Sequence, residues 1–406
     1  MSRSRPLRIA VLSSLYPNSQ QPRHGIFVEE RLRHLVATGE VEAQVVAPVP
    51  WFFSTHPRFG QYARLAAVPP HGIRSGIRVQ HPRYVVVPKI GMTLGPMSMA
   101  RAAALSLSAM RKQGFDFDLI DAHYVYPDGV AAAALGRRFD RPVVITARGA
   151  DINTIADMKQ PQRQIRRALR VAEGVVTVSA SLADKIRHLD MRPKRLETLR
   201  NGVDLDRFRP IDRDVVRLRL DVSARVWLCV GHLIERKGMH IAIDALAQVD
   251  DVTLLIAGDG PEEAALRRQA QRLGVSARVR FLGPIGHNEL ASYYNAADAL
   301  ILASRSEGMP NVLLESLACG TAVIANPVDG IPEIMTDLIA GRLISRRDGA
   351  AVAQAWRSLA DNELDAQGRA ARRRFAEQFG WQATTEGQLA MFDDILTSRH
   401  SRQGRQ

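Results

Sequence analysis

The sequence predicts an α/β fold in two domains, and three observations carry that expectation. The 406 residues are long for a single core and divide naturally into two domains of roughly 200 residues. Short apolar runs alternate with helical patterns along both halves, which is the signature of strands buried in a sheet between packed helices. An Asn-Gly turn signal at Asn201–Gly202, followed by Pro210, punctuates the middle of the chain, and the strand–turn–helix rhythm then starts afresh. The expected domains are residues 1–204 and 205–380, with a final helix at 381–400.

The first half opens with a buried strand at residues 7–13 (LRIAVLS) and a polar loop. A helix at 26–38 follows, with Ile26, Phe27, Leu32 and Leu35 on one side. Gly25 stands at its start, where a missing side chain lets backbone amides approach a ligand. A strand at 43–47 ends at a Pro-bounded segment. Residues 50–100 hold Trp51, Phe52 and Phe53 among His-Pro and Pro-Pro pairs and scattered basic residues. They read either as an irregular connection or as an acceptor-side or membrane-facing surface. The helix at 95–110, ending in Arg111 and Lys112, reads as a core helix, with an interfacial one as the alternative.

From Phe117 the pattern is regular. His123 follows a strand end, where ligands collect in open α/β sheets, although a lone histidine is more often structural. A second strand, PVVITA, leads into Arg148 and Asp151. The helix at 161–172 presents Arg163, Arg166, Arg167 and Arg170 at i, i+3, i+4 and i+7, one basic face. That face reads as solvated, with anionic lipid or acceptor contact as the alternative.

In the second half, RVWLCVGHLIERKGM is a strand followed by a basic, Gly-bounded turn containing His232, Arg236 and Lys237. VTLLIAGDGPEEAALRRQA repeats strand, glycine turn and helix. The run AADALILA (296–303) is a buried strand, and SRSEGMPNVLLESLACGT (304–321) turns into a short helix closed by Gly320. Two carboxylates bracket this turn: Glu307 before the helix and Glu315 within it, eight positions on. Helical spacing puts them on the order of 12 Å apart, too wide for the paired acids of a glycoside hydrolase and suited to gripping two ends of one long ligand. Between them lie the free amides of a helix N-terminus, a seat for phosphate. An extended ligand with phosphate in the middle and hydroxyls at both ends is a nucleotide sugar. Helices at 349–359 and 364–379 follow, and a last amphipathic helix after Trp381 shows Leu389, Phe392 and Leu396 on its apolar side.

Composition sets further bounds. A chain 46% hydrophobic and 24% charged is ordinary for a soluble globular protein, and no apolar stretch is long enough to span a bilayer. The basic start at 1–5 runs into a short apolar segment that reads as a first strand rather than a signal peptide. Cys229 and Cys319 sit in apolar contexts and read as small core residues. A cytoplasmic location is the default. Residues 1–204 carry 30 Lys and Arg against 16 Asp and Glu, a net +14, whereas residues 205–406 net −1. Anionic lipid, a phosphorylated acceptor or nucleic acid could answer that charge, or it is simply a solvated basic surface. Nucleic acid is disfavoured, because the basic residues are not interleaved with stacking aromatics and no helix-turn-helix or RNA-binding signature appears.

The string EGMPNVLLE resembles the E-x7-E signature of the retaining glycosyltransferases of family 4. Further stretches match: the P…GIFV loop around Gly25, NGVD at 201–204, AGDGP, FLGP and Gly330-Ile331-Pro332-Glu333. The resemblance implies the GT-B architecture, two Rossmann-like domains facing across a cleft, with the last helix crossing back to the first domain. It implies that Glu315 binds ribose hydroxyls and Glu307 the transferred sugar. It also implies that backbone amides of Gly308, Met309, Pro310, Asn311, Val312 and Leu313 meet sugar and phosphate (proline contributing no N–H), while Lys237 and Arg236 hold the diphosphate. His232 stands where the family usually has Arg. TARGADIN matches the position of His-Gly-x-Asp, so Arg148 replaces the histidine and Asp151 is kept, an Arg-Gly-x-Asp subtype. A guanidinium cannot serve as a base; it can stabilise a leaving diphosphate or hold an acceptor phosphate. Arg148 and Asp151 are therefore expected to position acceptor and leaving group, with His123 an acceptor-side candidate.

The activity implied is metal-independent transfer, without a cofactor, from a UDP- or GDP-sugar to a lipid-linked or polysaccharide acceptor, forming an α-glycosidic bond in cell-envelope or exopolysaccharide synthesis. The enzyme would sit in the cytoplasm or peripherally on the inner membrane face. A nucleotide-sugar epimerase of related fold and a non-catalytic anionic-lipid-binding protein are the alternatives.

Overall fold

The computed structural model describes residues 5–86, 91–222 and 225–403. Residues 1–4 of the basic start and 87–90 of the aromatic stretch lie outside them. The chain forms two compact units: one runs to Arg200 and is completed by the chain from Gln382 onward, and the other is Asn201–Trp381.

The first unit contains β1 (Leu7–Leu12), β2 (Val41–Val46), β3 (Val49–Pro50), β4 (His71–Arg74), β5 (Ile77–Gln80), β6 (Arg83–Tyr84), β7 (Leu119–His123), β8 (Val143–Ala147), β9 (Gly174–Thr177) and β10 (Leu196–Thr198). Eight of these form one sheet in the order β10-β9-β8-β7-β1-β2-β5-β4, parallel throughout except for the β4–β5 hairpin at its edge. Parallel strands covered on both faces read as near-continuous apolar runs, which is why β1, β7 and β8 stand out in the sequence. Ile9, Val11, Val45, Leu119, Val144 and Val176 form the core with Leu389, Met391, Phe392 and Ile395 of the helix Trp381–Gln403. The last helix therefore does return to the first unit. A Cβ added at Gly387 would come within 2.7 Å of Leu199 Cδ2, so that helix lies close against the end of the sheet's chain.

Residues 50–100 are more regular than an irregular connection. They hold the helix Gly60–Ala66, the β4–β5 hairpin and the start of the helix Gly91–Lys112. That helix buries Met99, Ala103, Leu107 and Met110 as a core helix should, but leaves Met92, Leu94 and Met97 in solvent at its start.

The second unit contains β11 (Arg225–Val230), β12 (Val252–Ala257), β13 (Val279–Gly283), β14 (Ala299–Leu302), β15 (Ala322–Ala325) and β16 (Gly341–Leu343). They form an all-parallel sheet in the order β13-β12-β11-β14-β15-β16. Trp227 is fully buried in its core and packs edge-on to Trp356, with ring centres 5.6 Å apart. Cys229 and Cys319 are buried and not joined in a disulfide, and burial pushes the Cys229 thiol up to about 12.

Two buried arginines on the helix Ala366–Glu377 fasten neighbouring helices by their C-terminal carbonyls. Arg369 donates to the carbonyls of Asn295, Ala297 and Cys319, each at 3.1 Å, and Arg372 Nε donates to Gly320 at 2.8 Å. These carbonyls end the helices His287–Ala296 and Asn311–Ala318, where a positive charge meets the negative end of the helix dipole. The helix bearing Glu315 is thus held firmly from its far end.

Strand order locates the candidate sites. In open parallel sheets ligands gather beyond the C-terminal ends of strands where the order reverses. That reversal lies between β1 and β7 in the first unit and between β11 and β14 in the second. His123 ends β7, the Lys237 turn follows β11, and Glu307 follows β14.

Candidate functional site

In the second unit the turn after β11 is pressed against the end of β14. Gly238 adopts φ +75°, and a Cβ there would lie 2.2 Å from the carbonyl oxygen of Ala303, so no other residue permits this approach. The backbone completes the junction, with Arg305 N–H donating to the Arg236 carbonyl at 2.8 Å. The approach brings Lys237 Nζ to 2.6 Å from Glu307 Oε1, an ion pair that is largely buried on both sides. Ser304 Oγ donates to the same carboxylate oxygen at 2.7 Å. The Glu307 amide donates to Asp329 Oδ2 at 2.6 Å, and Ser306 Oγ donates to that oxygen at 2.8 Å. Asp329 comes from the Asp-Gly-Ile-Pro stretch after β15 and fixes the loop that presents Glu307.

Arg236 stands beside Lys237 in the same turn, and its guanidinium donates to the Ser306 carbonyl at 2.7 Å, which braces the loop. His232 is exposed, its Nδ1 3.6 Å from Asp259 Oδ1. Gly308 leads into buried Met309 and Pro310; Pro310 precedes the helix Asn311–Ala318 with extended backbone and no side-chain cap. Asn311 Oδ1 accepts from Asn201 Nδ2 at 2.9 Å. Val312 is half-buried beside it. The Leu313 amide already donates to the Pro310 carbonyl at 3.1 Å, so the amides left for an anion come from residues before it. Glu315 is buried; its Oε1 lies 3.0 Å from His287 Nε2, and its Oε2 accepts from the Tyr294 hydroxyl at 2.8 Å. Burial, reinforced by Glu315, holds the Tyr294 phenol well above its ordinary range. Ser304, Asp329, His287 and Tyr294 were not among the residues expected from the sequence.

In the first unit, Arg148 at the end of β8 donates from its guanidinium to His123 Nδ1 at 2.7 Å. A guanidinium only donates, so Nδ1 is the bare nitrogen and Nε2 carries the hydrogen, directed at Asp121 Oδ2 3.2 Å away. Burial lowers the His123 pKa and Arg148 lowers it further, against the opposing pull of Asp121, so the ring is neutral. The chain of contacts continues from Asp121 Oδ2 to Gln388 Nε2 at 2.9 Å, and from Gln388 Oε1 to Arg31 Nε at 2.7 Å. Arg148 lies over the Phe27 ring, 5.2 Å from its centre, and burial holds its pKa well below the ordinary value.

Asp151 is fully buried and accepts backbone N–H bonds from Val125 and Gly149 at 2.8 Å and from Arg148 and Ile152 at 3.1 Å. It clasps the turn that carries Arg148, which makes it a positioning residue. Gly25 has φ +67°, and its missing side chain is filled by Leu15, whose carbonyl oxygen would sit 1.9 Å from an added Cβ. The glycine is required by the loop itself.

Asp128 ties the loops on either side of the first reversal point. Its carboxylate accepts from the Ser14 amide at 2.5 Å and from Ser14 Oγ at 2.8 Å, and burial pushes its pKa up to about 7. A raised carboxyl pKa gives stability that is complete below the unfolded value and lost as pH rises through about 7. Asp128→Asn, which keeps both contacts, is expected to remove a loss on the order of 4 kcal/mol between pH 4 and 7. Comparing denaturant midpoints of variant and wild type across that range checks it; parallel curves would contradict it.

The surface of the first unit carries an aromatic and basic patch. Trp51, Phe53 and Tyr62 are exposed; Phe52 packs 4.5 Å from Phe53 and 5.3 Å from Tyr62, and Arg58 lies over Phe59 at 4.6 Å. The Trp51 amide bonds to the Tyr84 carbonyl at 2.7 Å, and Val85 N–H bonds to Ser98 Oγ at 2.9 Å, joining this loop to the exposed start of the helix Gly91–Lys112. Gln164 Nε2 donates to the Thr93 carbonyl at 2.9 Å, which places the helix Lys159–Val171, with exposed Arg163, Arg167 and Arg170, alongside.

Family models match both halves of the chain: the Glycosyltransferase Family 4 model over residues 25–207 and the Glycosyl transferases group 1 model over residues 211–378. The putative teichuronic acid biosynthesis glycosyltransferase TuaC of Bacillus subtilis is 30% identical over 336 residues, covering 81% of this chain and 83% of that protein. A D-inositol 3-phosphate glycosyltransferase of Frankia alni is 33% identical over 329 residues, covering 73% of this chain and 78% of that protein. Among solved structures, Anabaena Alr3699/HepE in complex with UDP superimposes with a TM-score of 0.74 at 21% identity, covering 96% of this chain and 100% of that one. Two doubly wound parallel sheets, a last helix returned to the first unit and matches along most of the length converge on one conclusion: the chain belongs to the family 4 glycosyltransferases, with the α/β fold of the GT-B architecture.

Proposed function

We propose that this glycosyltransferase moves a hexosyl group from a UDP- or GDP-sugar to a lipid-linked or polysaccharide acceptor with retention of the anomeric configuration and without a metal. The observation that carries the reading is the arrangement around the helix Asn311–Ala318. The Lys237–Glu307 pair sits before its N-terminus, and Glu315 is held within it by His287 and Tyr294. Glu307 binds the hydroxyls of the transferred sugar and Glu315 those of the ribose. Lys237 and the amides preceding Leu313 take the diphosphate. A departing diphosphate concentrates negative charge, and a cation with helix-end amides stabilises it in the transition state. The acceptor hydroxyl attacks on the face the diphosphate leaves, and the departing phosphate oxygen takes its proton. No side chain is assigned as base: Arg148 cannot act as one, and Asp151 is occupied by four backbone amides.

The partners named for similar proteins support this reading. Alr3699/HepE was solved with UDP, and the Bacillus relative is named for teichuronic acid biosynthesis. Incubating the protein with a panel of radiolabelled UDP- and GDP-sugars and a bacterial lipid-linked glycan fraction tests the activity. Label entering the glycan, with the α-configuration in the product, is expected; donor turnover with no acceptor present would favour an epimerase instead.

For location, we propose a cytoplasmic enzyme peripheral to the inner membrane face. Among the described residues no helix is long and apolar enough to cross a membrane, so attachment would rest on the surface patch. Exposed Trp51, Phe53 and Tyr62 beside basic residues suit an anionic lipid interface, and residues 1–204 carry the net +14. The protein is expected to sediment with phosphatidylglycerol vesicles at low salt and to be released as salt rises, with Trp51→Ser/Phe53→Ser weakening the association about tenfold. Equal sedimentation with neutral phosphatidylcholine vesicles would contradict the electrostatic part.

A further inference from the structure

The segment Asn201–Phe208 was read from the sequence as a boundary between domains, yet it reaches into the second unit's candidate site. Arg207 donates from its guanidinium to His287 Nδ1 at 3.0 Å. Because that group only donates, the hydrogen of the neutral ring sits on Nε2, directed at Glu315 Oε1 3.0 Å away. Arg207 is itself anchored: its amide donates to Asp204 Oδ1 at 3.0 Å, and its guanidinium lies 3.5 Å from Asp204 Oδ2. Phe208, fully buried, packs on the His287 ring at 5.1 Å and on Tyr294 at 5.9 Å between centres, so both donors to Glu315 are held in place. The first unit repeats the device at its own reversal point, where Arg148 sets His123 toward Asp121.

Resting on the reading of Glu315 as the ribose-binding residue, we infer that Arg207 and His287 are positioning residues that set the enzyme's discrimination for a nucleotide bearing both ribose hydroxyls. The chemistry is one of lone pairs. A carboxylate offers about four acceptor positions. His287 takes one on Oε1 and Tyr294 one on Oε2, which leaves one on each oxygen for a vicinal diol. Were His287 to take the other tautomer, with its hydrogen on Nδ1 and Nε2 bare, Oε1 would lose its donor and the carboxylate could rotate out of register with the diol. Arg207, donating to Nδ1, excludes that tautomer.

The test is calorimetry on the full chain. The probe is whichever of uridine, guanosine and adenosine diphosphate binds most tightly, compared with its 2′,3′-dideoxy counterpart. Wild type is expected to bind the ribonucleotide at least tenfold more tightly, and Glu315→Ala to abolish the difference. His287→Asn keeps an acceptor for Arg207 but is too short to reach Glu315. It is expected to weaken the ribonucleotide about tenfold, to leave the dideoxy nucleotide unchanged, and to be no worse than Glu315→Ala when the two are combined. His287→Gln, whose amide reaches Glu315, restores most of the preference. Arg207→Ala, at a partly exposed side chain, shifts the ratio in the same direction by about threefold. If His287→Asn and Arg207→Ala both leave the ribo-to-dideoxy ratio at its wild-type value, or weaken the two nucleotides equally, the positioning role is overturned while the site stands. If Glu315→Ala itself leaves the ratio unchanged, the reading of Glu315 falls and this inference falls with it.

Discussion

Replacing Glu307 by alanine is expected to lower sugar transfer about a thousandfold while nucleoside diphosphate binds as tightly as before, or more tightly. The two halves of this expectation have different origins. Glu307 is proposed to grip the transferred sugar, and contacts to the reacting group are worth most in the transition state, so their loss falls on the rate. The same carboxylate is the anion paired with Lys237 at 2.6 Å. Its removal frees that cation, and an incoming diphosphate no longer competes with an internal carboxylate. Ligand-induced thermal stabilisation should therefore be undiminished in the variant. The loop itself is retained, because the Glu307 amide still bonds to Asp329 Oδ2. Transfer at the wild-type rate would remove Glu307 from the site; loss of nucleotide binding would show that it acts on the diphosphate end.

Lys237→Ala is the converse and is expected to weaken donor binding about a hundredfold. The substitution removes the cation and leaves Glu307, which is buried, facing the incoming diphosphate. Arg236, whose guanidinium donates to the Ser306 carbonyl at 2.7 Å, is left as the neighbouring cation and keeps the loss partial. Titration calorimetry reads the effect, and an unaltered affinity would contradict the clamp. Combining Lys237→Ala with Glu307→Ala should recover part of the lost affinity, because the uncompensated carboxylate is gone.

Much of the fold was legible because parallel strands buried on both faces write themselves as uninterrupted apolar runs. The run AADALILA contains β14, and LRIAVLS contains β1. Residues 50–82 resisted reading because their elements are a two-residue strand, a seven-residue helix and an edge hairpin, each too short to show a clear period. The helix Gly91–Lys112 was found but begun late, since Pro96 lies inside it and reads as a helix start.

In the candidate site, Glu307 and Glu315 were visible from local spacing, and Lys237 from the family resemblance of its basic turn. Their supporting residues were not, because those contacts join distant parts of the chain. Arg207 meets His287 across 80 residues, and Asp329 meets the Glu307 loop across 22. Both lay beside stretches already singled out: NGVD at 201–204, read as punctuation between domains, and Gly330-Ile331-Pro332-Glu333, read only as a match to the family. Asp151 was legible as a position, but its place beneath four backbone amides depends on the turn geometry at Gly149, with φ +136°.

The most direct test of the account is titration of the intact chain with UDP-glucose, GDP-mannose and their free diphosphates in the presence of a metal chelator. One-to-one binding of at least one series is expected, weakened about a hundredfold in Lys237→Ala and kept in Glu307→Ala. Absence of binding by every nucleotide and nucleotide sugar, or binding indifferent to Lys237, would contradict it.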